Sequence, residues 1–203
     1  MTRVCECTAP HPHKHIVLTG GPGAGKTAVL ELAHQFFCKH LVMVPEAASL
    51  LFRGGFPRGA NVAQQAATQR AIFHVQRELE AATEAADHAA ALLCDRGTVD
   101  GAAYWPGPST LWSEVGVRRE DELLRYHTVL HLRVPHARDY NNDNAMRIET
   151  VEQAARIDER IVEAWKGHPR VFTIDSSASF LDKAHRALDL LEAELPPCCR
   201  RKK

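Results

Sequence analysis

Between His15 and Phe37 the chain runs from a short apolar stretch through a glycine loop into an amphipathic segment, and few architectures accept that order. The loop, Gly20 to Thr27, reads Gly-Gly-Pro-Gly-Ala-Gly-Lys-Thr. It fits the pattern G-x-x-x-x-G-K-S/T with Gly20, Gly25, Lys26 and Thr27 at the fixed positions. Upstream, His15 to Thr19 is apolar enough for a buried parallel strand. Downstream, Val29, Leu30, Ala33, Phe36 and Phe37 recur at helical spacing. A plain glycine turn would need none of this chemistry. Glycines let a backbone wrap closely around phosphate oxygens with its N–H groups pointing inward, and the positive end of the next helix adds to the attraction. The expected nucleotide-binding set is Gly21, Gly23, Ala24, Gly25, Lys26, Thr27 and Ala28. Lys26 reaches the terminal phosphates, and the Thr27 hydroxyl is a ligand for Mg²⁺.

Along the chain, short apolar runs alternate with helical patterns. Leu41 to Val44, Ala89 to Cys94, His127 to Leu132 and Arg170 to Ile174 supply four further strands. A long helix is expected from Asn61 to Asp87, with Ile72, Val75, Leu79, Ala82 and Ala86 as its apolar stripe. Thr150 with Gln153 forms a capping box for a helix to Trp165 that buries Ala154, Ile157, Ile161 and Trp165. A last helix carries Leu181, Ala184, Leu188 and Leu191. Residues 54–60 and 105–120 read as loops from their Gly and Pro content. Five strands alternating with helices predict an α/β fold with a parallel sheet covered on both faces.

The 203 residues suit one domain, expected over 15–194. With 25 basic and 25 acidic residues the formal charge is zero, which gives no field for nucleic acid. No run approaches the length of a membrane span, and Met1 to Pro10 has no signal-peptide core, so a cytoplasmic protein is expected. Of six cysteines, Cys38 and Cys94 read as small buried residues. Cys5, Cys7, His11, His13 and His15 have metal-ligating chemistry, but not zinc-finger spacing. The expectation is a flexible tail over 1–14 and a short basic tail over 195–203.

The candidate catalytic residues are Lys26, Glu46, Asp95, Arg96, Arg133 and Arg147. Asp95 ends the third apolar run, where a loop of this kind needs a carboxylate to hold Mg²⁺; a helix-capping aspartate is the other reading. Arg96 either meets substrate charge or pairs with a carboxylate. Glu46, past the second strand, either accepts a proton from an attacking hydroxyl or hydrogen-bonds an acceptor substrate; a first-turn helix residue after Pro45 is the other reading. Arg133, Arg138 and Arg147 lie in a polar stretch with the character of a lid closing over a transferred phosphoryl group. Gln69, Arg70, Gln76 and Arg77 read first as a solvated helix face and second as acceptor contacts. Asp100 and Tyr104, one helical turn apart, are further acceptor candidates.

The glycine loop, Val-Pro-Glu-Ala-Ala at 44–48, the Gln-Arg pairs within 69–78, Asp-Arg-Gly-Thr-Val-Asp-Gly-Ala-Ala-Tyr at 95–104 and Arg-Ile-Glu at 147–149 together make a recognisable set. It resembles P-loop proteins of the AAA-type ATP-binding family grouped with ribosylnicotinamide kinase domains, a group that includes a trafficking protein binding GTP and phosphoinositides. The resemblance spans residues 15–194. It implies a three-layer P-loop NTP hydrolase fold with sheet order 2-3-1-4-5. It also implies Lys26 and Thr27 at phosphate and magnesium, Asp95 at the metal, an acceptor near Glu46 and Arg147 in the lid.

Three functions fit. The first is a kinase (a transferase) moving the γ-phosphate of Mg²⁺-ATP, or GTP, to a hydroxyl acceptor such as a nucleoside or riboside. The second is a nucleotide-dependent regulatory NTPase with a protein or lipid partner, although the Asn-Lys-x-Asp motif of common guanine-binding switches is missing. The third is an oligomeric remodelling ATPase, for which the chain has little room beyond its single domain.

Overall fold

The computed structural model describes residues 5–86, 89–135, 150–176 and 179–200. Five strands, β1 (Lys14–Thr19), β2 (Leu41–Val44), β3 (Ala91–Asp95), β4 (Thr128–Leu132) and β5 (Val171–Ile174), form one parallel sheet in the order β2-β3-β1-β4-β5. β1 lies at the centre: Ile16 is level with Leu93 on one side and Thr128 on the other. A central parallel strand is buried on both faces, which is why it is apolar without alternation.

Successive side chains of each strand feed opposite layers. Ile16, Leu18, Leu93, Leu130 and Leu132 pack on one side with α1 (Lys26–Phe36) and α7 (Phe180–Glu194). Val17, Leu92, Cys94 and Val129 face the other way and meet Ile161 and Trp165 of α6 (Val151–Trp165). The second layer also holds α3 (Val62–Ala85) and a 3-10 turn over Thr98–Tyr104. The expected three-layer fold, all-parallel sheet and strand order are present. Among the described residues, no helix is long and apolar enough to cross a membrane.

Local signals account for the element ends. Asn61 caps α3 by accepting from Gln64 N at 3.0 Å. The Thr150–Gln153 capping box forms in both directions, at 2.8 and 3.3 Å. α2 (Ala47–Arg53) matches the helix that is one reading after Pro45, whereas four short helical pieces were not legible in the sequence: the 3-10 turn, α4 (Leu111–Val115), α5 (Arg119–Leu124) and a second 3-10 turn over Pro197–Cys199. Each is too brief to show a period, so residues 105–120 are not simply loop.

Burial on α3 also departs from expectation. Ala82 and Ala86 are exposed, whereas Phe73, Gln76 and Glu80 are buried. The buried polar groups are tolerated because they are paired. Glu80 accepts from Gln76 Nε2 (3.0 Å), Tyr126 Oη (2.9 Å) and Arg125 Nη2 (2.7 Å). Arg70 and Arg77 bond Glu114 and Glu122 while staying partly exposed, so this face meets α4 and α5 at its edge as well as water. On α7, Leu181 is exposed while Ala184, Leu188 and Leu191 are buried. Asp87, Arg138 and Arg147 lie outside the described residues.

Candidate functional site

The glycine loop leaves the end of β1 and enters α1. Gly20, Gly23 and Gly25 have φ of 142°, 79° and 93°, a region that side chains resist. Space enforces glycine too. A Cβ on Gly20 would stand 2.1 Å from Leu132 O, and one on Gly21 would stand 2.7 Å from Val134 Cγ1. The N–H of Gly21 is given to Asp158 Oδ1 at 2.8 Å, and that of Ala24 closes a turn on Gly21 O. The N–H groups of Lys26, Thr27 and Ala28 sit in the first turn of α1, whose donors have no acceptor within the helix. Thr27 is exposed there.

Lys26 folds back onto its own loop, donating to Gly20 O (2.9 Å) and Gly21 O (3.1 Å). Burial, with help from Arg96, lowers its pKa to about 8, against the opposing pull of Asp95, Glu46 and Asp100. Weak carbonyl partners and a costly buried charge make an ammonium that gains by meeting phosphate.

Asp95 is the last residue of β3, level with Leu18 of β1. Burial and the nearby Glu46 charge raise its pKa to about 6, while Lys26 and Arg96 pull it down. Its Oδ1 is buried with no hydrogen-bond partner among the described residues. An orphaned carboxylate oxygen next to a phosphate loop fits a hard cation, and Thr27 supplies a second oxygen of the right type. Arg96 follows in the left-handed region at φ 71°, costly for any residue other than glycine. That turn aims its guanidinium at Glu46, with Nε donating to Oε1 at 2.6 Å, and over the Tyr104 ring at 5.5 Å. Burial opposes the Arg96 charge, but Tyr104, Glu46, Asp100 and Asp95 hold it on. Its Nη1 is buried without a partner among the described residues, a donor suited to an anionic oxygen.

Glu46 is the N-cap residue of α2, and its side chain makes no cap bond. Burial works against its charge, yet Arg96, Ser49 and Lys26 keep its pKa below the ordinary carboxylate value. It opens onto a cavity of about 340 Å³ bounded by Pro22 of the loop, Phe52, Gln69, Arg96, Asp100 and Tyr104. Arg58 and Gln76 reach the same wall. Asp100 is largely committed inside the fold: it accepts from Thr19 Oγ1, from Gly97 N at 2.8 Å and from Trp165 Nε1 at 3.3 Å.

The structure thus brings Lys26, Glu46, Asp95 and Arg96 together at the C-terminal edge of β1, β2 and β3, where open α/β sheets bind ligands. Arg133 lies on the α6 side of the loop, its side chain bonded to Asp158 at 3.2 Å and to Glu159 rather than to these four residues. Two groups not singled out from sequence hold the loop. Asp158 of α6 binds Gly21 N, His131 Nε2 (2.9 Å) and Arg133. Burial raises its pKa, but His131, Gly21 N–H and Arg133 outweigh that and lower it. Lys183 of α7 donates to Ala24 O at 2.8 Å and to Arg133 O at 2.5 Å. The signal for Asp158 was available: it shares the buried stripe with Ala154 and Ile161, where a charge needs a partner.

The solved structure of thymidylate kinase from Ehrlichia chaffeensis superposes with a TM-score of 0.56 at 15% identity, covering 89% of this chain and 99% of that one. At that identity the likeness is one of fold. No curated protein matches the sequence. A family model described as an AAA domain matches residues 15–183, which includes the glycine loop, Glu46, Asp95 and Arg96. The chain belongs to this AAA-domain family of P-loop nucleotide-binding proteins.

Proposed function

We propose that the chain is a small-molecule kinase transferring the γ-phosphate of Mg²⁺-ATP, or of GTP, to a hydroxyl of a nucleoside- or riboside-sized acceptor. The observation that carries this reading is the cavity that opens from the phosphate loop onto the Glu46–Arg96 pair. A site for hydrolysis alone has no need of a second, half-apolar chamber of that size.

In this reading Lys26 leaves its loop carbonyls for the terminal phosphates, and the first-turn N–H groups of α1 bind their oxygens. Thr27 and Asp95 would hold Mg²⁺, which when bound offsets charge on the outer phosphates. Glu46 accepts the hydrogen bond of the acceptor hydroxyl and points it at phosphorus. Its depressed pKa makes it an orienting group more than a proton acceptor. Arg96 serves twice, fixing Glu46 through Nε and offering Nη1 to the transferred group. Phe52 and Tyr104 give the cavity apolar wall for an acceptor ring, one face of each being covered by Arg58 at 4.3 Å and Arg96 at 5.5 Å. Arg133 and Arg147 remain candidates for closing over the phosphates. Positioning and charge account for most of the catalysis.

The test is ADP release from Mg²⁺-ATP against nucleosides, ribosides and sugar alcohols, with a no-acceptor control. Strong stimulation by one acceptor class is expected. Glu46→Gln should cut acceptor-dependent transfer by about 100-fold while nucleotide affinity holds. Slow release indifferent to every acceptor, with nucleotide-dependent capture of a protein or lipid, would replace the kinase with a regulatory NTPase.

A further inference from the structure

The two ends of the chain meet at the corner between α1 and β2. Cys5 Sγ lies 3.5 Å from the backbone oxygen of Cys198, a residue 193 positions away in sequence. Cys199 Sγ is 3.1 Å from His40 Nδ1, and 3.6 Å separates the sulfurs of Cys198 and Cys199. The ligand atoms of Cys5, His40, Cys198 and Cys199 all fall within 4.8 Å of one another. With Zn–S near 2.3 Å and Zn–N near 2.0 Å, a tetrahedral zinc ion spaces its ligands by about 3.5–3.8 Å.

Packing alone does not explain this group. A thiol acting as a small apolar residue is buried, as Cys94 is in β3. Here Cys198 is exposed and Cys5 is half-buried, yet both turn toward the buried Cys199 and His40. A disulfide would use two sulfurs, and no disulfide joins any of the six cysteines. Three sulfurs and an imidazole converging from three distant segments, with the Cys38 thiol beside them at 3.5 Å from His40 Nδ1, make a four-ligand set with the composition of structural zinc sites.

We propose that Cys5, Cys198, Cys199 and His40 bind one structural zinc ion, clamping both chain ends onto the α1–β2 corner. Binding releases the protons of the three thiols to solvent as the metal–sulfur bonds form. A second layer stands ready. His11 Nε2 is 3.4 Å from Cys198 Sγ and 3.5 Å from Cys7 Sγ, and the His11 ring meets His40 edge-on with centroids 5.1 Å apart. A protonated His11 nitrogen donating to a thiolate would offset its charge. The exposed Cys198 leaves an entry path. The ligands come from residue 40 and both termini, so no spacing along the sequence betrays them. Three of the four lie outside the stretch matched by the family model, which makes the clamp an addition to the nucleotide-binding fold.

The full chain, purified without chelator from zinc-supplemented medium, should carry close to one zinc per molecule by elemental analysis. Cobalt reconstitution should give thiolate-to-metal charge transfer and the intense visible bands of a tetrahedral site. Cys198→Ser changes an exposed side chain and should keep the fold by circular dichroism while losing most of the charge-transfer band. His40→Ala should lower zinc content at least several-fold, and Cys94→Ser should leave it unchanged. A folded wild-type chain without zinc, with Cys5 and Cys198 open to alkylation, would overturn the proposal. So would a disulfide among Cys5, Cys198 and Cys199 by intact mass, or zinc content indifferent to both ligand variants.

Discussion

Asp95 and Lys26 both titrate closer to neutrality in the folded chain than they would in water. Asp95 is raised from 3.8 to about 6, chiefly by burial and then by Glu46. A carboxyl that binds its proton more tightly when folded favours the folded state at low pH. That contribution is lost as pH rises from 3.8 to about 6, and by pH 7.5 the buried charge costs about 2–3 kcal/mol. Asp95→Asn removes the charge and keeps the shape. Its melting temperature should therefore exceed that of the wild type by about 5–10 °C at pH 7.5, with the two converging near pH 4. The same variant should lose Mg²⁺-dependent turnover, a trade of function against stability common at sites that hold strained charge. Lys26, lowered to about 8 by burial, sets the other limb. In the free enzyme, kcat/KM should rise through about pH 6 as Asp95 ionises and fall above about pH 8 as Lys26 discharges. A flat profile over that range would separate both groups from turnover. Lys26→Ala should weaken nucleotide binding at least 10-fold, by loss of a charge-assisted contact; unchanged affinity measured by calorimetry would remove nucleotide from this loop.

At the scale of elements, the phosphate loop is shaped as much by helices distant in sequence as by its own glycines. Asp158 on α6 fastens Gly21, His131 and Arg133, and nothing about it requires contact with nucleotide. Asp158→Ala should destabilise the fold by about 3 kcal/mol in urea titrations, because Arg133 and His131 lose a buried partner. It should also weaken nucleotide binding by loosening the loop. On α7, Phe180 closes over Gly25, where a Cβ would stand 2.7 Å from the ring and φ is 93°. Gly25→Ala should stay impaired when combined with Phe180→Ala, since the smaller neighbour frees space but leaves the left-handed backbone strained by about 1–2 kcal/mol. These couplings show where the sequence stops speaking. Strand, loop and helix around Gly20–Thr27 were legible because their signals are local and periodic, and Asp95 because a carboxylate ends an apolar run. Glu46 and Arg96 were legible as residues, but not as an ion pair formed across β2 and β3. The turn that unites them is a non-glycine residue at positive φ, which no composition rule marks. The buried Gln76 on α3 reads first as part of a solvated face because its partner Ala47 N comes from another element; Glu80, which it also meets, is held by Arg125 and Tyr126 from elsewhere in the chain.

Across the whole molecule the parallel sheet keeps two unlike edges apart. The strand C-termini carry the nucleotide site. At the opposite edge one carboxylate gathers the starts of three strands: Glu194, at the end of α7, meets Lys14 at 3.4 Å in the first position of β1, His127 at 3.2 Å before β4, and Arg170 before β5. Burial raises the Glu194 pKa, but Arg170, Thr128 and Lys14 outweigh it, so the net shift is downward. The sign is opposite to that of Asp95. A carboxylate depressed in the folded state adds stability above its unfolded value near 4.5, and that stability is lost as pH falls through the folded value. Lys14 and Arg170 are partly exposed, so solvent screens part of the effect. Glu194→Gln should lower stability by about 1 kcal/mol at pH 7 and by progressively less below pH 4.5, flattening the acid side of the stability curve. If the sheet is a rigid frame, nucleotide affinity at 25 °C should not move, because the change lies at the far ends of the strands. A parallel fall in affinity would instead mean that tension at the strand starts reaches the phosphate loop through β1, the strand that both edges share.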